Sequence, residues 1–122
     1  MEKYIDVMRR INELFETCEE ALNHIHLQLE SGYFEQALPL FSDVFTAIFE
    51  IEKSISPFSK QLSFNHLEEY YSPLKDAMED VIKSYENSRF EEINIILKRK
   101  IMPHFQSLKE NILTNLRPYI LS

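Results

Sequence analysis

One glycine and one cysteine stand in a chain of 122 residues, and there is no tryptophan. A single glycine excludes the P-loop and the dinucleotide fingerprint, both of which need several glycines close together. A single cysteine excludes an internal disulfide framework and any CxxC metal or redox motif, and points to a reducing compartment. Cations are scarce as well. Lys and Arg number 13 against 20 Asp and Glu, a formal charge of −7, which is the wrong sign for neutralising nucleic-acid phosphates or anionic lipid over a whole surface. No nucleic-acid partner and no membrane partner is expected. The chain holds no run of about 18 apolar residues, and the opening MEKYIDVMRR carries charges where a secretory signal needs its apolar core. The expected location is the cytoplasm.

What is present is helical periodicity, in four segments. Tyr4, Met8, Ile11, Phe15, Cys18, Leu22, Ile25 and Leu29 alternate steps of four and three, so they form one stripe on a helix over 2–30. Gly32 can take the left-handed conformation that closes it. A second helix is predicted over 33–55, with Phe34, Leu38, Phe41, Phe45, Ile48 and Ile55 in step and Pro39 set to kink it or delay its start. Serines and Pro57 mark 56–64 as a linker. The third helix, 65–86, is announced by an Asn65-His66-Leu67-Glu68 cap and carries Leu67, Tyr70, Leu74, Ala77, Met78, Val81 and Tyr85, with Pro73 inside. The fourth, 89–116, opens on a Ser88-Arg89-Phe90-Glu91 capping box and holds Phe90, Leu97, Ile101, Phe105, Leu108, Ile112 and Leu116 around Pro103.

Sliding the chain by 56 residues pairs Phe15 with Tyr71, Cys18 with Leu74, Ala21 with Ala77, Leu22 with Met78, Ile25 with Val81, Phe34 with Phe90 and Phe41 with Leu97. Gly32 falls on Ser88, so the two turns coincide. The expected fold is all-α, one domain: an antiparallel four-helix up-down-up-down bundle made of two repeated helical hairpins, 1–55 and 65–117, joined by the linker 56–64. Its expected core is Phe15, Leu22, Ile25, Phe34, Phe41, Phe45, Leu74, Val81, Phe90, Ile101 and Phe105.

The segment Gly32-Tyr33-Phe34-Glu35-Gln36-Ala37, with Phe41 four residues on, resembles the turn and second helix of a tetratricopeptide unit. That family repeats at about 34 residues with shorter helices, so the resemblance is local and does not license a peptide-binding groove. The chain as a whole is similar to small helical proteins of Bacillus-type bacteria, the YfmB-like kind, built from paired hairpins. That resemblance implies no activity and no site residue.

Catalytic and metal chemistry find little footing. A di-iron bundle needs Glu three residues before His, and the residues at those places are Ala21, Asn23, Ser63 and Ile101. His24 and His26 point about 200° apart on a helix, and His66 with Glu69 reads as a solvent-facing first turn. Cys18, centred in the first stripe, reads as a small core side chain, although a reactive thiol stays open, as does a role for His104. His104 and Asn94 fall near the buried stripe of the fourth helix and read as a hydrogen-bonded polar pair. No cofactor and no metal ligand is expected.

Charge and apolar width say more. Residues 1–86 hold 7 Lys and Arg against 17 Asp and Glu, and residues 87–122 hold 6 against 3. Lys98, Arg99 and Lys100 fan around the last helix, where ion pairing with acidic neighbours is the first expectation and an acidic partner the second. On the second helix Tyr33, Leu38, Leu40, Ala47, Phe49 and Ile51 spread over about 200°, and on the fourth Ile95, Met102 and Leu113 fall about 100–120° from the main stripe. Such faces need cover from the C-terminal tail, from kinks at Pro39 and Pro103, or from another chain. The functional expectation is a non-catalytic protein-protein interaction protein, an adaptor or small chaperone. It is analogous at fold level to the flagellar export chaperones and binds a protein partner or itself as a homodimer through Leu40, Phe49, Ile95, Met102 and Leu113. The alternative is a small metal-binding or enzymatic bundle.

Overall fold

The computed structural model describes residues 2–62 and 66–121. Its helices are α1 (Ile5–Glu30), α2 (Phe34–Ile55), α3 (Leu67–Glu86) and a fourth rod composed of α4 (Phe90–Ile96), a π-helical turn (Leu97–Ile101) and α5 (Met102–Ile120). Short 3₁₀ turns, Glu2–Tyr4 and Ser56–Phe58, precede α1 and follow α2. The four rods form an antiparallel bundle, with no strand among the described residues. No helix of the described residues is long and apolar enough to cross a membrane.

The stripe of α1 is buried from Met8 to Leu29, and both hairpins turn by the same device. α1 closes at Gly32, φ +80°, where Tyr33 N–H donates to the Gln28 carbonyl at 2.9 Å and Gly32 N–H to that of Leu29 at 3.1 Å. α3 closes at Ser88, φ +55°, with Arg89 N–H on the Ser84 carbonyl at 2.8 Å and Ser88 N–H on that of Tyr85 at 3.2 Å. Each is a Schellman cap, whose six-to-one and five-to-two bonds satisfy the last carbonyls of the helix. The capping box expected at Ser88 does not form, because Ser88 ends α3. Arg89 stands at the N-cap of α4 and makes no side-chain cap bond. The cap expected at Asn65 lies outside the described residues.

Prolines behave unequally. α2 and α3 continue as α-helix through Pro39 and Pro73, and α2 begins at Phe34, so the delayed start does not occur. Ahead of Pro103 the helix widens into the π turn, where Met102 N–H donates to the carbonyl of Leu97, five residues back. The last helix also passes Pro118 and ends at Ile120. A proline in a final turn removes one bond only, and Tyr119 and Ile120 pack against the core.

The π turn is a one-residue insertion in the second hairpin. Before it, buried positions correspond at the spacing of 56: Ala37 with Ile93, Phe41 with Leu97. After it they correspond at 57: Val44 with Ile101, Ile48 with Phe105, Ile51 with Leu108 and Ile55 with Ile112. The widened turn swings α5 round so that Leu113 is buried beside Ile112 and Leu116.

Two expected core residues lie at the bundle's end. Phe34 and Phe90 are half-buried and stack on each other, 5.5 Å between centroids and 14° between planes. Phe58 and Leu62, in the expected linker, are buried instead. Phe58 packs against Tyr4 at 5.0 Å and closes the opposite end.

Candidate functional site

Three seams of the bundle are closely packed: α1 with α2, α3 with the fourth rod, and α1 with the fourth rod. Along the remaining seam, between α2 and α3, the backbones stay apart. The repeat makes the α1/fourth-rod seam its counterpart, and the two can be compared residue by residue.

The counterpart seam is clasped by polar groups over the C-terminal half of α1, from Glu19 to Glu30. Glu19 pairs with Lys109, and that hydrogen bond holds the Glu19 carboxyl below the usual carboxylate range. Two turns on, His26 Nδ1 donates to Asn94 Oδ1 at 3.3 Å, Asn94 Nδ2 donates to Glu30 at 3.1 Å, and Lys98 donates to the same Glu30 oxygen at 2.6 Å. Lys98 and then Asn94 hold the Glu30 carboxyl low. Asn94 is thus bonded to His26 and Glu30, rather than forming the pair with His104 that the sequence suggested.

On the open seam, among the described residues, side-chain bonds tie only the ends. Lys75 bonds Glu52 at 2.7 Å, and its ammonium lies 5.4 Å from the Tyr71 ring and 6.0 Å from that of Phe49. Burial pushes the Tyr71 phenol up, with the Glu52 and Glu68 carboxylates adding to it. At the other end the Tyr85 hydroxyl donates to the Phe34 carbonyl at 2.7 Å, and its ring meets Phe41 and Phe90 edge-on. Burial pushes Tyr85 up to about 12.

Between these ties runs a groove of about 500 Å³, lined on α2 by Leu38, Phe41, Ser42, Phe45, Thr46 and Phe49 and on α3 by Lys75, Met78, Glu79, Val81 and Ile82. Leu38 is 44 % exposed, Phe49 50 % and Ile82 45 %. At the spacing of 56, Ile82 corresponds to His26 and Leu38 to Asn94. Where one seam holds a hydrogen-bonded pair, the other presents two unpartnered apolar side chains.

The five residues expected at an interface are dispersed. Phe49 is in the groove. Leu40 and Met102 are partly buried against the core, and Leu113 is fully inside it. Ile95, 52 % exposed, sits in a depression between α3 and the fourth rod with Lys83, Arg89, Arg99 and Lys100, on the other flank of α3. One patch therefore cannot contain both Phe49 and Ile95. Ile82 escaped sequence reasoning because it falls outside the buried stripe of α3. Its signal was the replacement of a polar residue, His26, at the corresponding place of the repeat.

The remaining candidates lie apart from the groove. Cys18 is buried, and burial pushes its thiol up to about 11, which suppresses the thiolate. His66 meets Glu69 at 3.3 Å on the surface. Lys98 and Lys100 reach Glu30 and Asp80 on opposite sides of the rod. Among the described residues, no three His, Cys, Asp or Glu side chains are grouped as metal ligands.

No curated protein and no solved structure matches the chain. A family model described as a domain of unknown function, DUF8042, matches residues 6–111, from the first turn of α1 well into α5. The chain belongs to the DUF8042 family.

Proposed function

We propose that this protein is a non-catalytic interaction module, an adaptor or small chaperone, whose binding surface is the groove between α2 and α3. The observation that carries the reading is the contrast between the two seams: the same hairpin packing is clasped shut on one side and left open over aromatic and aliphatic side chains on the other. Burying apolar surface is worth about 25 cal/mol per Å². Covering Leu38, Phe49 and Ile82 together is therefore a source of binding energy already assembled on rigid helices. A partner entering there meets a preformed site, with little ordering left to do.

Photo-crosslinking tests this in the native cell extract. A benzophenone side chain replacing Leu38, Phe49 or Ile82 is expected to form an adduct with one protein species. The same group replacing Leu27 on α1 or Ile95 on α4, both well exposed, should give none. Adducts from Leu27 or Ile95 with none from the groove would overturn the assignment.

A further inference from the structure

The identity of the groove's occupant, which rests on the reading of the groove as a protein-binding surface, follows from its length and its charge. We propose that the groove seats one cationic amphipathic helix of a partner protein, lying along α2 and α3 as a fifth helix.

The lining on α2 runs from Leu38 to Phe49, about 17 Å at 1.5 Å per residue, or three helical turns. An amphipathic helix of that length presents apolar side chains at i, i+3, i+4 and i+7, enough to meet Leu38, Phe45 and Phe49 on one wall and Met78 and Ile82 on the other. The helices that form the walls are acidic, and part of that charge is met on their outer flanks, Glu50 by Arg10 and Asp80 by Lys100. α2 holds four Asp and Glu against one Lys, and α3 holds six against two. The net charge of these two helices equals that of the entire chain. Glu79 lines the groove, and Glu86, seven residues on, shares its side of α3. Lys75, the cation in the lining, is already held by Glu52.

The same charges disfavour a second copy as occupant. Two grooves placed face to face would bring together helices of like net charge, and the chain's own basic rod has its lysines engaged: Lys98 with Glu30, Lys100 with Asp80 and Lys109 with Glu19. A helix with Lys or Arg flanking its apolar stripe meets both requirements, and complementary charge also sets its register.

The absence of tryptophan from the chain allows a direct test. The probe is a synthetic Leu/Lys helix of about four turns with one Trp on its apolar face, compared with the same peptide carrying Glu at every Lys. The Lys peptide is expected to bind the intact protein one to one, with blue-shifted Trp emission, at least tenfold (about 1.4 kcal/mol) tighter than the Glu peptide. Phe49→Ser with Ile82→Ser should weaken it at least about tenfold while circular dichroism stays unchanged, and Glu79→Lys with Glu86→Lys should narrow the gap between the peptides. Equal or tighter binding of the Glu peptide overturns the cationic occupant, even where crosslinking has succeeded from the groove. Lys-peptide binding indifferent to Phe49 and Ile82 overturns the seat. A dimer in sedimentation that the Phe49 and Ile82 substitutions dissociate would make the occupant a second copy and overturn the proposal.

Discussion

Glu19 and Lys75 occupy corresponding places in the two hairpins, 56 residues apart, carry opposite charges, and are each paired across a seam, Glu19 with Lys109 and Lys75 with Glu52. The first hairpin therefore contributes a glutamate from each of its helices, and the second a lysine from each. Two copies of the first hairpin packed together would set Glu19 against Glu52, and two of the second would set Lys75 against Lys109. The pattern selects unlike hairpins, which is the arrangement a single chain provides. Replacing Lys75 and Lys109 together by Glu is expected to lower unfolding free energy by about 1–2 kcal/mol in urea titrations, given partly exposed pairs. Adding Glu19→Lys and Glu52→Lys should recover most of the loss; failure to recover would refute the pairing logic.

The left-handed cap residues give a second expectation, of opposite sign in the two hairpins. Gly32, at φ +80°, has open space where a Cβ would stand, so Gly32→Ala meets backbone strain without a clash and should cost about 1 kcal/mol. Ser88 already bears that strain at φ +55°, so Ser88→Gly should stabilise by about 0.5–1 kcal/mol. Thermal melts of the two variants should move in opposite directions; parallel movement would show that the caps are not equivalent.

If the π turn is an inserted residue, its removal should be tolerated where an equivalent removal elsewhere is not. Deleting exposed Arg99 in a Pro103→Ala background restores the 56-residue register throughout and is expected to leave a folded, fully helical protein. Deleting exposed Asp43 turns Val44, Ile48, Ile51 and Ile55, all buried, by about 100° on an uninterrupted α2, and should abolish cooperative unfolding. Equal tolerance of both deletions would contradict the register argument.

The titrating groups set both ends of the pH profile. Glu19, held low mainly by its hydrogen bond to Lys109, contributes stability that is present above the usual unfolded carboxylate value near about 4.3 and is lost as pH falls through its lower folded value. Glu19→Gln should flatten the acid limb of stability against pH. Cys18, raised to about 11 by burial, works at the other end. The unfolded thiol ionises first, so stability declines as pH rises above about 8.5. Ellman's reagent at mildly alkaline pH should label Cys18 only as fast as the protein unfolds, and rapid labelling of folded protein would contradict its burial.

Much of the bundle was legible in the residues. The four-three spacing from Tyr4 to Leu29 defined α1 nearly to the residue, and the superposition of Gly32 on Ser88 foretold two equivalent turns. Ser88 misled because Ser before Arg-Phe-Glu fits an N-cap as well as a left-handed C-cap, and chemistry that serves either role is settled only by the helix that needs it more. The misplacement of Leu113 had a readable cause. Ile93, Leu97, Ile101 and Phe105 advance by three successive steps of four, which an ideal α-helix lets drift by about 120°, so the stripe could stay buried only if the helix widened. The groove was half visible: the excess apolar width of α2 pointed to Leu38 and Phe49, whereas Ile82 became meaningful only when its counterpart His26 was found bonded across the other seam.

The two tight turns also shape how the molecule behaves in time. Each hairpin closes through a connection of about three residues, so its partner helices meet with little loop entropy to overcome and can assemble on the fast timescale of local structure. Docking of one hairpin on the other is then the remaining step. In the docked bundle the α1/fourth-rod seam is fastened by polar groups from Glu19 to Glu30, while α2 and α3 are joined by the Lys75–Glu52 and Tyr85–Phe34 bonds at the ends of the groove. Between those two bonds the α2/α3 side depends on the shared apolar core, in which Phe41, Val44 and Ile48 of α2 are buried with Leu74, Met78 and Val81 of α3, so the two sides of the bundle are held by different forces.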